Sequence, residues 1–347
     1  MGGDGGPAVT VPAAVALAGR AELLLVGDTA TIRDALPAGT PDIEIVHASE
    51  VLGAEDSLAD VLRRRPDSSL RRALLCQAEG RADAVVSAGD SAALMALSRL
   101  LLDMVPGVER PAICKDLQGM QGPFWMLDLG ANLDCTPVQL HQFALMGTLL
   151  ARHAGGVSAP RVALLNIGTE AGKGPEVLNE AAALLEADEA IRYVGFVEGN
   201  VLFDGSADVI VADGFAGNIA LKSVEGAARM AGHLLRRWFD GLNPLELAGL
   251  ALARRKLTAL RHELNPQRYN GASLVGLTGV VIKSHGSADM EGFHSAIDEA
   301  MLEVVGRVPE RLAEELARTR GAAAPGSERP AVPEDDGPAD PSGTAHG

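Results

Sequence analysis

The sequence predicts an α/β/α sandwich built on a mainly parallel sheet. Three observations predict it. Short apolar runs of β-favouring residues alternate with longer helical patterns, many runs end at glycine or a small polar residue, and helical stretches follow. Such alternation calls for parallel strands joined by crossover helices that cover both faces of the sheet. Aromatic residues make up only 3% of the chain, so the core is built from Ala, Val, Leu and Ile.

In chain order, strands are expected at Glu22–Val26, Ile43–His47, Ala84–Ser87, Phe124–Leu129, Val162–Ile167, Tyr193–Val197 and Val209–Ala212. Gly27, Gly89, Gly130, Gly168 and Gly214 stand at or just after many of these ends. Helices are expected at Ser91–Leu102, Pro137–His153, Pro175–Ala187 and Ala216–Trp238. In folds of this class ligands bind beyond the carboxyl ends of the strands, so these glycine-rich ends are where a site is sought. A single α/β domain is expected over residues 1–320. Residues 321–347, rich in Pro, Gly and acid, read as a disordered tail.

Residues 233–268 differ from the rest. Arg236, Arg237, Arg254, Arg255, Lys256, Arg261 and Arg268 face only Asp240, Glu246 and Glu263, within a chain whose net charge is -16. Leucines run through the same stretch. It reads as a basic helical hairpin. Its basic face is either plain solvated surface and a dimer contact, or a docking site for an anionic membrane or an acidic protein.

Several function classes are excluded. The acidic charge argues against nucleic-acid binding. Cys76, Cys114 and Cys135 form no CxxC pair, so neither a zinc site nor a disulfide framework is expected; no metal and no cofactor are called for. The N-terminus lacks the charged and apolar regions of a signal peptide, and no apolar run approaches a membrane span, so a cytoplasmic location is expected. The stretch 168–174 falls short of a Walker A loop, and neither GxGxxG after a strand nor GxSxG occurs.

Six loops remain: 1–4, 87–94, 127–135, 165–174, 213–222 and 283–289. A loop that enters a helix through Gly and small polar residues presents free backbone N–H groups to an anion. Lys173 and Lys283 within such loops suit a bound phosphate, and His285 stands ready as a proton donor.

Taken together the loops resemble the phosphate acyltransferase family of bacterial phospholipid synthesis. The resemblance rests on MGGDGGP at Met1–Pro7, DLGANLDC at Asp128–Cys135 and QFALMG at Gln142–Gly147. It continues with VALLNIG at Val162–Gly168 and the following Lys173-Gly174, GFVEGN at Gly195–Asn200, DGFAGN at Asp213–Asn218, LNPQRYNGA at 264–272 and VIKSHGSAD at Val281–Asp289. It runs in order from residue 1 to about 310. Two departures stand out. Family members carry a first strand ahead of MGGD, and their AGNTGA loop is here Ala88-Gly-Asp-Ser-Ala-Ala93, with Asp90 in place of an amide.

The resemblance implies a fold similar to the isocitrate/isopropylmalate dehydrogenase group and a homodimer. It implies acyl carrier protein as thioester donor, inorganic phosphate as acceptor, and peripheral contact with an anionic membrane where a downstream glycerol-phosphate acyltransferase receives the product. Phosphate is itself the nucleophile, so no covalent enzyme nucleophile is needed. Lys283, His285, Lys173 and Asn218 are the expected catalytic residues. Gly2, Gly3, Asp4, Ala88, Gly89, Ser91, Asn132, Gly168, Asn200 and Gly214 are expected to hold substrate or phosphate. Asp128, Glu198 and Asp213 are expected to orient loops, because a free carboxylate would repel phosphate. Arg254, Arg255 and Lys256 are the expected membrane or carrier contact. The alternatives are a phosphotransacetylase-like enzyme using acyl-CoA, and a catalytically decayed scaffold of lipid synthesis. A dehydrogenase of the same fold group lacks its motifs.

Overall fold

The computed structural model describes residues 1–53, 56–170, 172–241 and 270–322. The chain opens with α1 (Pro7–Val15), β1 (Leu24–Gly27), α2 (Thr29–Ala35), β2 (Glu44–His47), α3 (Leu58–Arg63), α4 (Ser69–Ala78), β3 (Ala84–Ser87) and α5 (Ser91–Leu101). It continues through β4 (Ala112–Gly119), β5 (Gly122–Leu127), α6 (Pro137–His153), β6 (Arg161–Leu165), α7 (Glu176–Ala187), β7 (Arg192–Val197), β8 (Val209–Val211) and α8 (Gly214–Asp240). After the undescribed segment come β9 (Ala272–Val275), β10 (Val280–Lys283), α9 (Met290–Gly306) and α10 (Val308–Ala322). Many helices start where Asp, Ser or Thr accepts a backbone N–H three residues on; Asp28, Asp90, Thr136, Asp213 and Asp289 all do so.

Eight strands form one sheet in the order β3-β10-β9-β4-β5-β8-β6-β7, and β1 and β2 form a separate parallel pair. The expected α/β sandwich is present, but its polarity is split. The pair β3–β10 and the block β5–β8–β6–β7 are each parallel, while β10–β9, β9–β4 and β4–β5 are antiparallel. The strands β3, β10 and β4 therefore run one way and β9, β5, β8, β6 and β7 the other. Carboxyl ends, sought at one edge from the sequence, lie at both.

Register brings the two sets together. Lys283, the last residue of β10, pairs with Ala272 of β9. Cys114 pairs with Ser273, so Lys115 of β4 stands opposite Ala272 at the next position. Lys115 pairs in turn with Met126, one residue short of the end of β5. One transverse row thus holds the terminal stretch of oppositely running strands.

Both faces are covered. On one face Trp125, Leu127, Val162, Leu164 and Val209 pack against α6, which is buried nearly all round, with α7 and α10 outside it. On the other face Leu117, Met126, Ala163 and Ile210 pack against Ala220 and Leu221 of α8, and Val85, Leu274 and Val281 against α4 and α5. The helix α10 runs to Ala322, two residues beyond the expected domain limit; residues 323–347, including nearly all of the expected tail, lie outside the described residues. Most of the basic stretch 233–268 lies there too, with Arg254, Arg255 and Lys256.

Candidate active site

The β3/β10 end is assembled by close backbone contact. A Cβ on Gly2 would stand 2.6 Å from the Gly89 Cα, and one on Gly3, whose φ is +87°, 2.9 Å from the Ala88 Cβ. The Asp4 N–H donates to the Gly286 carbonyl at 2.7 Å. Gly2, Gly3, Ala88 and Gly89 thus clamp the first loop between the loops that follow β3 and β10. Asp90 accepts the Ala93 N–H at 2.8 Å as the cap of α5, where the helix dipole favours a carboxylate. Ser91 is exposed beside it.

Asn270 sets the loop after β10. Its buried amide donates to Ser284 Oγ at 2.7 Å and the Gly292 carbonyl at 2.8 Å, and its Oδ1 accepts the His285 N–H at 2.8 Å. His285 Nδ1 accepts the Ser287 N–H at 3.2 Å, which leaves the neutral ring with its proton on Nε2. Burial holds its pKa below the usual histidine value, opposed by Glu225 and helped by the neighbouring lysines, so the ring is a neutral hydrogen-bond donor at pH 7.

The opposite edge is organised by Asp128, which is wholly buried. Its carboxylate accepts N–H groups from Ile113, Ala131 and Asn132 at 3.0, 3.0 and 2.6 Å, and the Asn132 amide at 2.9 Å. Burial nonetheless pushes its pKa up. The Asn132 amide also donates to the Pro111 carbonyl at 2.8 Å. On this loop rests the start of α8. The Gly214 N–H donates to the Asn132 carbonyl at 2.7 Å, and Asp213 accepts the Ala216 N–H at 2.7 Å. Asn218 lies against Gly130.

From there α8 crosses back over the sheet. Asn218, Lys222 and Glu225 follow at spacings of four and three and share one stripe of the helix. Lys222 pairs with Glu225 at 2.9 Å. Below them rise Lys115 and Lys283. Lys115 lies mid-strand in β4, flanked on the α8 face by Ile113 and Leu117, and Lys283 ends β10 on the same face, with Val281 before it. Burial lowers the pKa of both ammonium groups, that of Lys283 to about 8, with Asp90 acting to raise it. His285 lies within electrostatic reach of Glu225, Lys222, Lys283 and Lys115. This cleft between sheet and α8 is the candidate active site: three lysines, a neutral imidazole and an amide.

The loops after β6 and β7 form a separate group. The Asn166 amide donates to the Lys173 carbonyl at 2.9 Å, and Gly168 lies against the Lys173 side chain. The Lys173 ammonium pairs with Glu170 at 2.7 Å, both more than half exposed. Glu198 and Asn200 stand in the 3-10 turn after β7. Sequence reading missed Lys115, Lys222, Glu225 and Asn270. Lys222 and Asn270 fell inside the quoted family stretches or loops; Lys115 had no motif to mark it. No group of three or more His, Cys, Asp or Glu among the described residues is arranged to hold a metal ion.

The fold places the chain among proteins built like the phosphotransacetylases. The phosphotransacetylase of Streptococcus pyogenes superposes with a TM-score of 0.58 at 16% identity, covering 87% of this chain and 92% of that one. The EutD phosphotransacetylase of Staphylococcus aureus gives 0.52 at 16%, covering 84% and 90%. A family model described as "Fatty acid synthesis protein" matches residues 1–311. The phosphate acyltransferase of Alcanivorax borkumensis is 48% identical over 325 residues, 92% of this chain and 96% of that protein. That of Pseudomonas putida strain F1 is 48% identical over 320 residues, 90% and 94%. The chain therefore belongs to the phosphate acyltransferase family.

Proposed function

We propose that this protein transfers a fatty acyl group from acyl-acyl carrier protein to inorganic phosphate, giving acyl phosphate for phospholipid synthesis. The observation that carries the reading is the cationic cleft under α8, where Lys115, Lys222 and Lys283 gather around the neutral His285. A phosphate oxygen attacks the thioester carbonyl, the C–S bond breaks with its electron pair on sulfur, and the proton of the attacking phosphate ends on the thiolate. A thiol with pKa about 8.5 is an acceptable leaving group, so the protein's work is to hold two anions together and to stabilise a tetrahedral oxyanion. The Nε2–H of His285 and the amide of Asn218 supply donors for that oxyanion; Lys283 balances the charge of phosphate. Lys173 and the N–H groups near Gly168, on the loop after β6, help to hold a phosphate group. Asp128, Asp213 and Glu198 keep the loops in place.

The test is phosphate-dependent release of free thiol from palmitoyl-acyl carrier protein, with acyl phosphate trapped by hydroxylamine. Release that ignores phosphate would sink the reading. A phosphotransacetylase-like use of acyl-CoA is the second reading, favoured by the shared fold. Efficient turnover of acetyl-CoA and poor turnover of the long-chain carrier would establish it.

A homodimer and a peripheral contact with anionic lipid, where a glycerol-phosphate acyltransferase receives the product, complete the proposal. Met230, just ahead of the basic stretch, and Leu234 and Trp238 at its start are 62%, 54% and 56% exposed on α8, which supports such a contact. Among the described residues no helix is long and apolar enough to cross a membrane. Changing Arg254, Arg255 and Lys256 to Glu should weaken binding to anionic vesicles or to the carrier; unchanged binding of both would remove the assignment.

A further inference from the structure

We infer that inorganic phosphate seats over Ala272, between Lys115 and Lys283 and beneath Lys222, and that Lys115 is a phosphate-binding residue of the reaction. The inference rests on the acyl-transfer reading and fixes which part of the site takes which substrate.

The two lysines stand in one transverse row on one face of the sheet, with β9 between them. Two strand spacings separate their Cα atoms by about 10 Å. The residue between them is alanine, so only a methyl group occupies the floor. Two inclined lysine side chains close such a gap to the width of one tetrahedral anion, and a larger residue on the floor would fill it.

The charges are unbalanced in the same sense. Among the described residues the Lys115 ammonium has neither an ion pair nor a hydrogen bond, although it is largely buried. The Lys283 ammonium donates to the Ser284 carbonyl, a neutral acceptor. Among the described residues Lys222 alone of the three has a carboxylate, Glu225, at contact distance, while Asp90 acts on Lys283 from farther off. Asp116, next in sequence to Lys115, points to the other face by strand alternation, where it senses Glu299 of α9. An unpaired buried cation is costly, and a doubly charged anion bridging two of them removes that cost. The acyl chain and thioester then approach from the side of Asn218 and the Asp128 loop, in line with the seated phosphate.

Inorganic phosphate is titrated against the wild type, Lys115→Met and Ala272→Val, by initial rates of thiol release and by calorimetry without thioester. Lys115→Met should raise the phosphate KM and Kd about 10- to 100-fold, with the thioester KM within about twofold. Its melting temperature should equal or exceed that of the wild type, because an unpaired buried charge is gone. Ala272→Val keeps every charge and should raise the same two constants, so it decides the matter should Lys115→Met fail to fold. A wild type without phosphate-dependent release overturns the acyl-transfer reading itself. Wild-type turnover with unchanged phosphate constants in the variants overturns the seat, as does a rise confined to the thioester KM.

Discussion

The ammonium of Lys283 offers the sharpest handle on the chemistry. Burial lowers its pKa from 10.5 to about 8, so the charged form is lost as pH rises through that value. At pH 7 about nine-tenths of the free enzyme carries the charge, and at pH 9 about one-tenth. If the charged form binds phosphate, kcat/KM for phosphate falls above pH 8 by about tenfold per unit. Bound phosphate holds the proton on, so kcat at saturating phosphate changes less over the same window. Lys283→Arg keeps a charge that does not titrate in this range, and its kcat/KM should stay flat to pH 9 whatever its absolute rate. Lys283→Met should lose about 100- to 1000-fold in turnover at pH 7. The assay is the initial rate of thiol release across pH 6.5–9.5 at limiting phosphate. A fall above pH 8 that is identical in wild type and Lys283→Arg would refute the assignment, and so would full activity in Lys283→Met.

Asn270→Leu removes three hydrogen bonds at once, two of them buried, and takes the amide partner from Ser284 and the Gly292 carbonyl; a loss of about 2–4 kcal/mol should appear in denaturant unfolding, with a fall in turnover as His285 loses its anchor. Gly214→Ala sets a Cβ 2.6 Å from the Asn132 carbonyl, so α8 must lift from its seat, and activity should fall before the overall fold does, read by rate against circular dichroism. Glu303 is buried with one oxygen unpartnered, and burial raises its pKa from 4.5 to about 8. A carboxyl raised on folding stabilises below its unfolded pKa, and that stability drains as pH climbs from about 4.5 to about 8. Glu303→Gln should therefore raise the melting temperature by a few degrees at pH 8.5 and by little at pH 5; equal shifts at both would reject the cause.

Elements with strong alternation or long periodicity could be read from the sequence, among them β3, β5, β7 and α6. What escaped were β4, β9 and β10. In β4 the run Ala-Ile-Cys-Lys-Asp-Leu-Gln-Gly places two charges mid-strand, which reads as a loop until a buried site requires them there. The strands β9 and β10 are joined by residues 276–279 with no helix between them, so the strand–helix alternation that marks most other strands does not mark them. Missing them hid the three antiparallel pairs, and hence the reversal of polarity across the sheet. The site shows the same division. Glycines, Asp128 and His285 sit in loops whose composition marks them, whereas Lys115 gains meaning only from the register that sets it level with Lys283. Asp90, which departs from the family loop, serves as the α5 cap, a role that a carboxylate fills as well as an amide.

The seat of α8 on the Asp128 loop has a mechanical consequence. A helix of 27 residues is a rod about 40 Å long, held at one end by Gly214 and Gly217 and exposed along its far third. Pivoted there, a tilt of about 5° carries Lys222 about 1 Å and the Trp238 end about 3 Å. The rod is thus a lever whose short arm carries Lys222 over the cleft and whose long arm reaches outside, so whatever grips Trp238 also adjusts the reach of Lys222.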